Sequence, residues 1–155
     1  MWRISEMAGE RGMTEVILVA AIGTYSGQGE WHDSAAVSHR YKVEMRIEQL
    51  PSGDFRQWFK HTFFEEGNSV IEQTVEYSFT KNGIFNLSLV GTPIQGRGYC
   101  SRDACHYSLP VQQNLVEVTQ FFHEDGKIRI LGSAEKNAQG NYIWWEERVA
   151  RQRNL

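Results

Sequence analysis

The stretch Tyr41-Lys42-Val43-Glu44-Met45-Arg46-Ile47-Glu48 decides the fold class of this chain. Every odd-numbered residue in it is apolar or aromatic, and every even-numbered residue is charged. A period of two with one wet face is typical of an antiparallel strand lying between a core and solvent. The same alternation returns in residues 71–79 and 127–130. The chain is therefore expected to build its core from such strands.

Turn signals recur at regular spacing and indicate how the strands are connected. Asn-Gly and Asp-Gly pairs favour tight hairpins, because both central residues of the favoured turn need positive φ. Turn chemistry of this kind occurs at residues 51–54, 66–68, 81–83, 91–93, 124–126 and 139–141. No helical pattern of ten or more residues lies between these turns. We therefore predict an all-β fold, a single antiparallel up-and-down β-barrel of about 8–10 strands that encloses a cavity.

Length and charge restrict the domain organisation and the partners. A chain of 155 residues favours one domain, which we place at residues 14–150. Residues 1–13 are expected to form a leader, residues 151–155 a tail, and residues 16–22 a short helical segment. The net charge of −3 argues against nucleic-acid binding, and no apolar run approaches the roughly 18 residues that span a bilayer. The expected location is the cytoplasm, and a homo-oligomer is left open.

Two cysteines, Cys100 and Cys105, allow three interpretations. In the cytoplasm they are expected to be reduced, although a strand-turn-strand would bring them within disulfide reach. Together with His106 they are also weak candidates for zinc, since thiolate and imidazole suit that metal. No cofactor is assigned from the sequence.

The segment from Val16 to Trp31 reads VILVAAIGTYSGQGEW, a short apolar piece followed by three glycines around Tyr25. This segment resembles the opening of the calycin superfamily, which includes lipocalins, fatty-acid-binding proteins and nitrobindin-like barrels. The resemblance covers about ten residues, together with the chain length and strand rhythm. It implies that the glycines let the first strand bend and that Arg148 or Arg151 lies over Tyr25 in a cation–π contact.

Fold analogy predicts the binding of a small, largely hydrophobic or aromatic ligand inside the barrel, without catalysis. The residues expected to line or close the cavity are Tyr25, Trp58, Tyr77, Glu117, Phe121, Tyr142, Trp144 and Arg148. In the last strand, an inward Arg148 beside Tyr142 would resemble the carboxylate clamp of fatty-acid-binding proteins. The alternative is that this face points to solvent and forms surface pairs.

The sequence also allows two other functions. A small-molecule enzyme (isomerase, lyase or hydrolase) would use Glu117 or His123 as general acid or base beside Tyr142, in the same cavity. An interaction module would instead use an exposed barrel face.

Overall fold

The computed structural model describes residues 17–80, 83–136 and 141–153, so the expected leader at residues 1–13 lies outside the described residues. Ten antiparallel strands form a closed barrel in which each strand pairs with the next and the last pairs with the first. The prediction of an up-and-down barrel is confirmed. The strands are β1 Gly23–His32, β2 Ser38–Gln49, β3 Phe55–Phe63, β4 Ser69–Phe79, β5 Ile84–Leu89, β6 Gln95–Cys100, β7 Ala104–Val111, β8 Asn114–Phe122, β9 Lys127–Lys136 and β10 Asn141–Arg151.

A short helix, α1 (17–20), precedes the barrel, and a single 3-10 turn, Phe64–Glu66, connects β3 to β4. Within the described residues, no helix is long and apolar enough to cross a membrane.

The alternation of apolar and charged residues that predicts β2 also determines which of its side chains are buried. Tyr41, Val43, Met45 and Ile47 are at most 3% exposed, while the charged residues between them face outward. Because successive side chains of a strand point to opposite faces, the apolar set of β2 becomes part of the barrel interior.

Glycines allow close approach at the seam between β1 and β10, where the barrel closes. A Cβ at Gly27 would overlap the backbone carbonyl of Arg148, so only glycine fits there. Elsewhere an aromatic ring from the neighbouring strand lies over the glycine opposite it, which fills the missing side-chain volume. The three register pairs of this kind are Gly29 with Tyr41, Gly98 with Phe85, and Gly132 with Trp145.

One end of the barrel, here termed the closed end, is covered by the residues around α1. Leu18 and Ala21 join the core, and the Tyr25 hydroxyl donates to the Ala21 carbonyl at 2.6 Å. The Arg151 guanidinium lies 5.5 Å from the Tyr25 ring centroid and donates to its hydroxyl at 2.9 Å. Of the two arginines expected over Tyr25, the structure selects Arg151.

Cys100 and Cys105 form a disulfide, so the expectation of reduced thiols is wrong in this structure. The two residues are register partners on β6 and β7 with Cα atoms 4.0 Å apart, and both side chains point inward. The bond leaves no thiolate for zinc. His106 lies on the outer face and contacts Thr119, with 2.9 Å between Nδ1 and Oγ1. Among the described residues, no group of three or more potential ligands is placed to hold a metal.

Candidate ligand-binding site

The eight residues predicted to line the cavity separate into two groups. Tyr25 and Tyr77 lie on the inner face and are almost fully buried. The other six lie on the outer face. The inward residues of β3 and β10 are the odd-numbered ones, beginning at 55 and 143, and the inward residues of β8 are the even-numbered ones. These outward residues are Trp58, Glu117, Phe121, Tyr142, Trp144 and Arg148.

The outward residues make the surface contacts of an exposed sheet face, some along one strand and some between neighbouring strands. Arg148 lies 2.7 Å from Glu146 in an ion pair, with 77% of its own side chain exposed. Trp58 lies beneath the guanidinium of Arg46, 5.2 Å from its ring centroid. Arg148 and Tyr142 therefore lie on the solvent-facing side of β10 and do not form an inward clamp in this structure.

The residues proposed for catalysis do not form one site. Glu117 is exposed on the outer face and accepts a hydrogen bond from Ser108 at 3.4 Å. His123 is exposed in the turn after β8, on the side of the closed end, whereas Tyr142 lies near the start of β10 at the opposite end.

A polar network crosses the interior of the barrel. Gln57 on β3 and Gln120 on β8 are each 1% exposed, and their strands are five positions apart in either direction around the barrel. Their amides bond reciprocally, with Gln57 donating at 2.7 Å and Gln120 donating at 3.1 Å. The Tyr77 hydroxyl donates to Gln57 and accepts from Gln120. The interior is therefore filled at this level, and the network satisfies its own buried polar groups.

Beyond this network lies the part of the interior farther from α1. Its inner-face side chains are only partly buried at the rim, where Trp31, His39 and Phe63 are located. Ile71 belongs to the inward set of β4 yet is 47% exposed, because β5 pairs with β4 only from Val75 onward. This end, defined by these rim residues, is termed the mouth.

A buried acid lies inside the mouth. Glu147 on β10 is 2% exposed, and its Oε2 accepts a hydrogen bond from the Tyr41 hydroxyl at 2.7 Å. The Nε2 of His61 on β3 lies 2.9 Å from the same oxygen, although its N–H is not aligned for a hydrogen bond. Both contacts fall on Oε2, so Oε1 carries neither of them. We define this trio as the Glu147 cluster.

Gly29 makes the Glu147 cluster possible. It is the register partner of both Glu147 and Tyr41, so it separates them by one strand. Because glycine has no side chain, the Tyr41 ring lies across β1 and reaches the carboxylate. The repeated glycines recognised in the first strand therefore have two roles, close approach at Gly27 and room for a ring at Gly29.

Aromatic rings surround the Glu147 cluster. Phe59 stacks on His61 at 5.8 Å, and Phe63 lies 5.1 Å from Tyr41. Trp31 stacks on His39 with 3.9 Å between ring centroids. The Trp31 indole N–H is buried but has no hydrogen-bond partner among the described residues. A buried donor without an acceptor is costly, so an entering acceptor would be stabilised there.

His39 joins two loops at the rim of the mouth. Its Nδ1 lies 2.8 Å from Glu66 in the 3-10 turn, and its Nε2 lies 3.3 Å from Asp33 in the β1–β2 loop. The hydrogen bonds that the Asp33 carboxylate accepts, chiefly from the Val37 backbone, lower its pKa. His39 therefore connects β2 to both loops at the rim through partly exposed side chains.

The buried tyrosines of the interior resist ionisation. Burial raises the pKa of Tyr41 above the usual tyrosine value, and the charge of Glu147 and the hydrogen bond to it raise it further. Burial likewise raises the pKa of Tyr77, partly offset by the Gln120 hydrogen bond. Burial raises the pKa of Tyr107, and Tyr77 and Glu147 add to this rise.

An alkaline titration followed by tyrosinate absorbance checks this pattern. Three of the six tyrosines, Tyr41, Tyr77 and Tyr107, are expected to stay protonated in the native protein well above pH 10. Their raised folded pKa values support stability below the unfolded value of about 10, and this support is lost as pH rises further. Native absorbance at high pH should therefore fall short of that of the unfolded chain by at least these three tyrosinates. Equal absorbance in a native sample would contradict the burial of these hydroxyls.

Glu147 was missed by sequence reasoning, but a signal for it was present. The set Ile143, Trp145, Glu147 and Val149 contains one charge among three apolar residues. The alternate set, which includes Glu146 and Arg148, is the more polar of the two. The more apolar set of a half-buried strand belongs inside, so a direct comparison of the two faces favours Glu147 as the inward acid.

Comparisons with known proteins show the fold alone. No family model matches the chain, and no curated protein sequence is significantly similar to it. Among solved structures, the chain is similar to the S-type phycobiliprotein lyase CPES from Guillardia theta. The TM-score is 0.77 at 11% identity, over 94% of this chain and 98% of that one. It is also similar to Rv2717c from M. tuberculosis, with a TM-score of 0.70 at 12% identity over 90% of this chain and 98% of that one.

A third similar structure is a protein of unknown function of the DUF3598 family from Nostoc punctiforme. The TM-score is 0.66 at 16% identity, and the match covers 87% of this chain but 49% of that protein. At these identities the similarity is one of fold, which in the chain described here is a closed ten-stranded barrel.

Proposed function

We propose that this protein binds a small, largely hydrophobic or aromatic ligand at the mouth of the barrel, as a member of the calycin superfamily. The observation that carries the proposal is the Glu147 cluster, a carboxylate buried among aromatic rings at the less buried end of the interior. Apolar walls with a few convergent polar groups are the usual composition of a small-molecule site.

The similar structures support this proposal through their fold. One barrel of the same fold is a phycobiliprotein lyase, which favours a pigment-like molecule as the ligand here. The unpartnered indole N–H of Trp31 is further support, because a ligand acceptor atom would satisfy it.

Two neighbouring tryptophans provide the test. Trp145 points into the barrel over Gly132, whereas Trp144 is 39% exposed and stacks on His32 on the outer face, 5.1 Å away. Titration with a neutral apolar probe, N-phenyl-1-naphthylamine, is expected to quench tryptophan fluorescence and to raise probe emission. The variant Trp145→Phe should lose a large part of the energy transfer to the probe and weaken binding by about threefold or more, equal to about 0.7 kcal/mol or more of lost aromatic contact.

The matched control is Trp144→Phe, which removes an outer indole and should leave the probe affinity within twofold. Circular dichroism confirms that both variants fold. If the probe does not bind the wild-type protein, or if Trp144→Phe rather than Trp145→Phe weakens it, the interior is not the binding site.

A further inference from the structure

We propose that the ligand of the mouth is a planar aromatic cation, a protonated nitrogen heterocycle or amidine whose positive group pairs with Glu147. This inference rests on the proposed function and specifies the chemistry of the same site. A carboxylate clamp like that of fatty-acid-binding proteins would place Arg148 inside and bind an anionic ligand. The inward charged residue of β10 is instead its neighbour Glu147, which favours a cationic ligand.

The distribution of charge around the mouth supports a cation. Among the side chains that the structure describes, every lysine and arginine of the strands lies on the outer face except Arg151, which is held at the closed end by Tyr25. The Glu147 carboxylate therefore faces an interior whose other ionisable neighbours are His61 and the tyrosines. An anionic ligand would meet a negative charge of low solvation, which repels it strongly.

The carboxylate also has a second oxygen that neither of its described contacts uses. A carboxylate accepts hydrogen bonds at both oxygens, and the contacts from Tyr41 and His61 both fall on Oε2. Oε1 is thus the natural acceptor for an N–H of the ligand. A charge-assisted hydrogen bond at a buried site is about twice as strong as a neutral one, so it would dominate the choice between ligands of similar size.

The surrounding rings favour the same class of ligand. Tyr41, Phe63 and Trp145 lie on the inner wall close to Glu147 along the register of β2, β3 and β10. Aromatic faces attract cations through their negative quadrupole, and they stack on flat rings. Rings beside a buried carboxylate therefore recognise both the charge and the planarity of the ligand.

Three fluorescent probes of similar size but different charge test the proposal on the wild-type protein. They are proflavine, which is a planar cation, N-phenyl-1-naphthylamine, which is neutral, and 1-anilinonaphthalene-8-sulfonate, which is an anion. The cation is expected to bind at least tenfold more tightly than the anion, and Trp145→Phe should weaken its binding. Equal or tighter binding of the anion would overturn the assignment of charge, and this comparison needs no variant that must fold.

Adjacent glutamates supply the matched variants. Glu147→Gln keeps the shape and still accepts from Tyr41, yet it removes the charge, so proflavine affinity should fall about tenfold or more while the neutral probe changes less than twofold. Glu146→Gln removes a carboxylate that pairs with Arg129 and Arg148 on the outer face, and it should change neither affinity.

The outcomes distinguish this inference from the proposed function. If the neutral probe binds in a Trp145-dependent manner while Glu147→Gln leaves proflavine unaffected, the charge assignment fails and the binding function stands. If none of the three probes binds, the proposed function fails and the inference fails with it.

Discussion

Replacing Gly27 by alanine is expected to lower the free energy of unfolding by about 3 kcal/mol, the upper range for an overpacked buried site. The added Cβ would overlap the carbonyl of Arg148, which is backbone and has no rotamer to adopt. Relief would require β1 and β10 to separate at the seam that closes the barrel. Guanidinium unfolding followed by circular dichroism measures the loss, with the slope of the transition as a check on two-state behaviour.

Gly53→Ala is the control for the general cost of removing a glycine. No atom lies within 4 Å of a Cβ built there, and the residue sits in an exposed turn with φ of +94°. The cost expected from the left-handed backbone alone is about 1 kcal/mol. A Gly27→Ala protein as stable as Gly53→Ala would show that close approach of the two strands is not what Gly27 provides.

Breaking the amide network inside the barrel is the second change with a large expected effect. Gln57→Leu removes the acceptor of Tyr77 and one donor to Gln120, and both groups then remain buried without a full set of partners. The expected loss is about 2 kcal/mol, and Gln120→Leu should cost a similar amount. Because the two losses share the same hydrogen bonds, the double variant should cost clearly less than the sum.

The matched control for the network is Gln95→Leu, a glutamine on the exposed face of β6. Its effect should stay within about 0.5 kcal/mol. Strict additivity of Gln57→Leu and Gln120→Leu, measured by the same denaturant titrations, would mean that the two side chains do not interact across the interior.

The strands and their connections were predictable because both are encoded locally. In residues 41–48 of β2 the apolar and charged residues alternate without exception, so the strand and its inner face follow from the sequence alone. The hairpin turns restrict each strand to pairing with its neighbours, and a chain of ten such strands must then close or split.

The inner face of β8 was not predictable in the same way. In β8, Glu117 and Gln120 lie on opposite faces, and each face carries a polar residue among apolar ones. A shift by one residue exchanges the two faces completely, and local pattern does not choose between them. The disulfide was missed for a different reason, since the expected reducing compartment outweighed the short separation of Cys100 and Cys105.

The neighbouring pairs Trp144–Trp145 and Glu146–Glu147 have a consequence for how the barrel closes. If β10 slipped by one residue, a tryptophan would replace a tryptophan inside and a glutamate would replace a glutamate. The middle of the strand is therefore almost degenerate between the two alignments. The two alignments differ most near the carboxyl end of the strand, because a slipped strand would exchange the buried Val149 for Arg148 and bring a guanidinium into the apolar interior. The carboxyl end of β10 therefore determines which alignment the strand adopts against its neighbours.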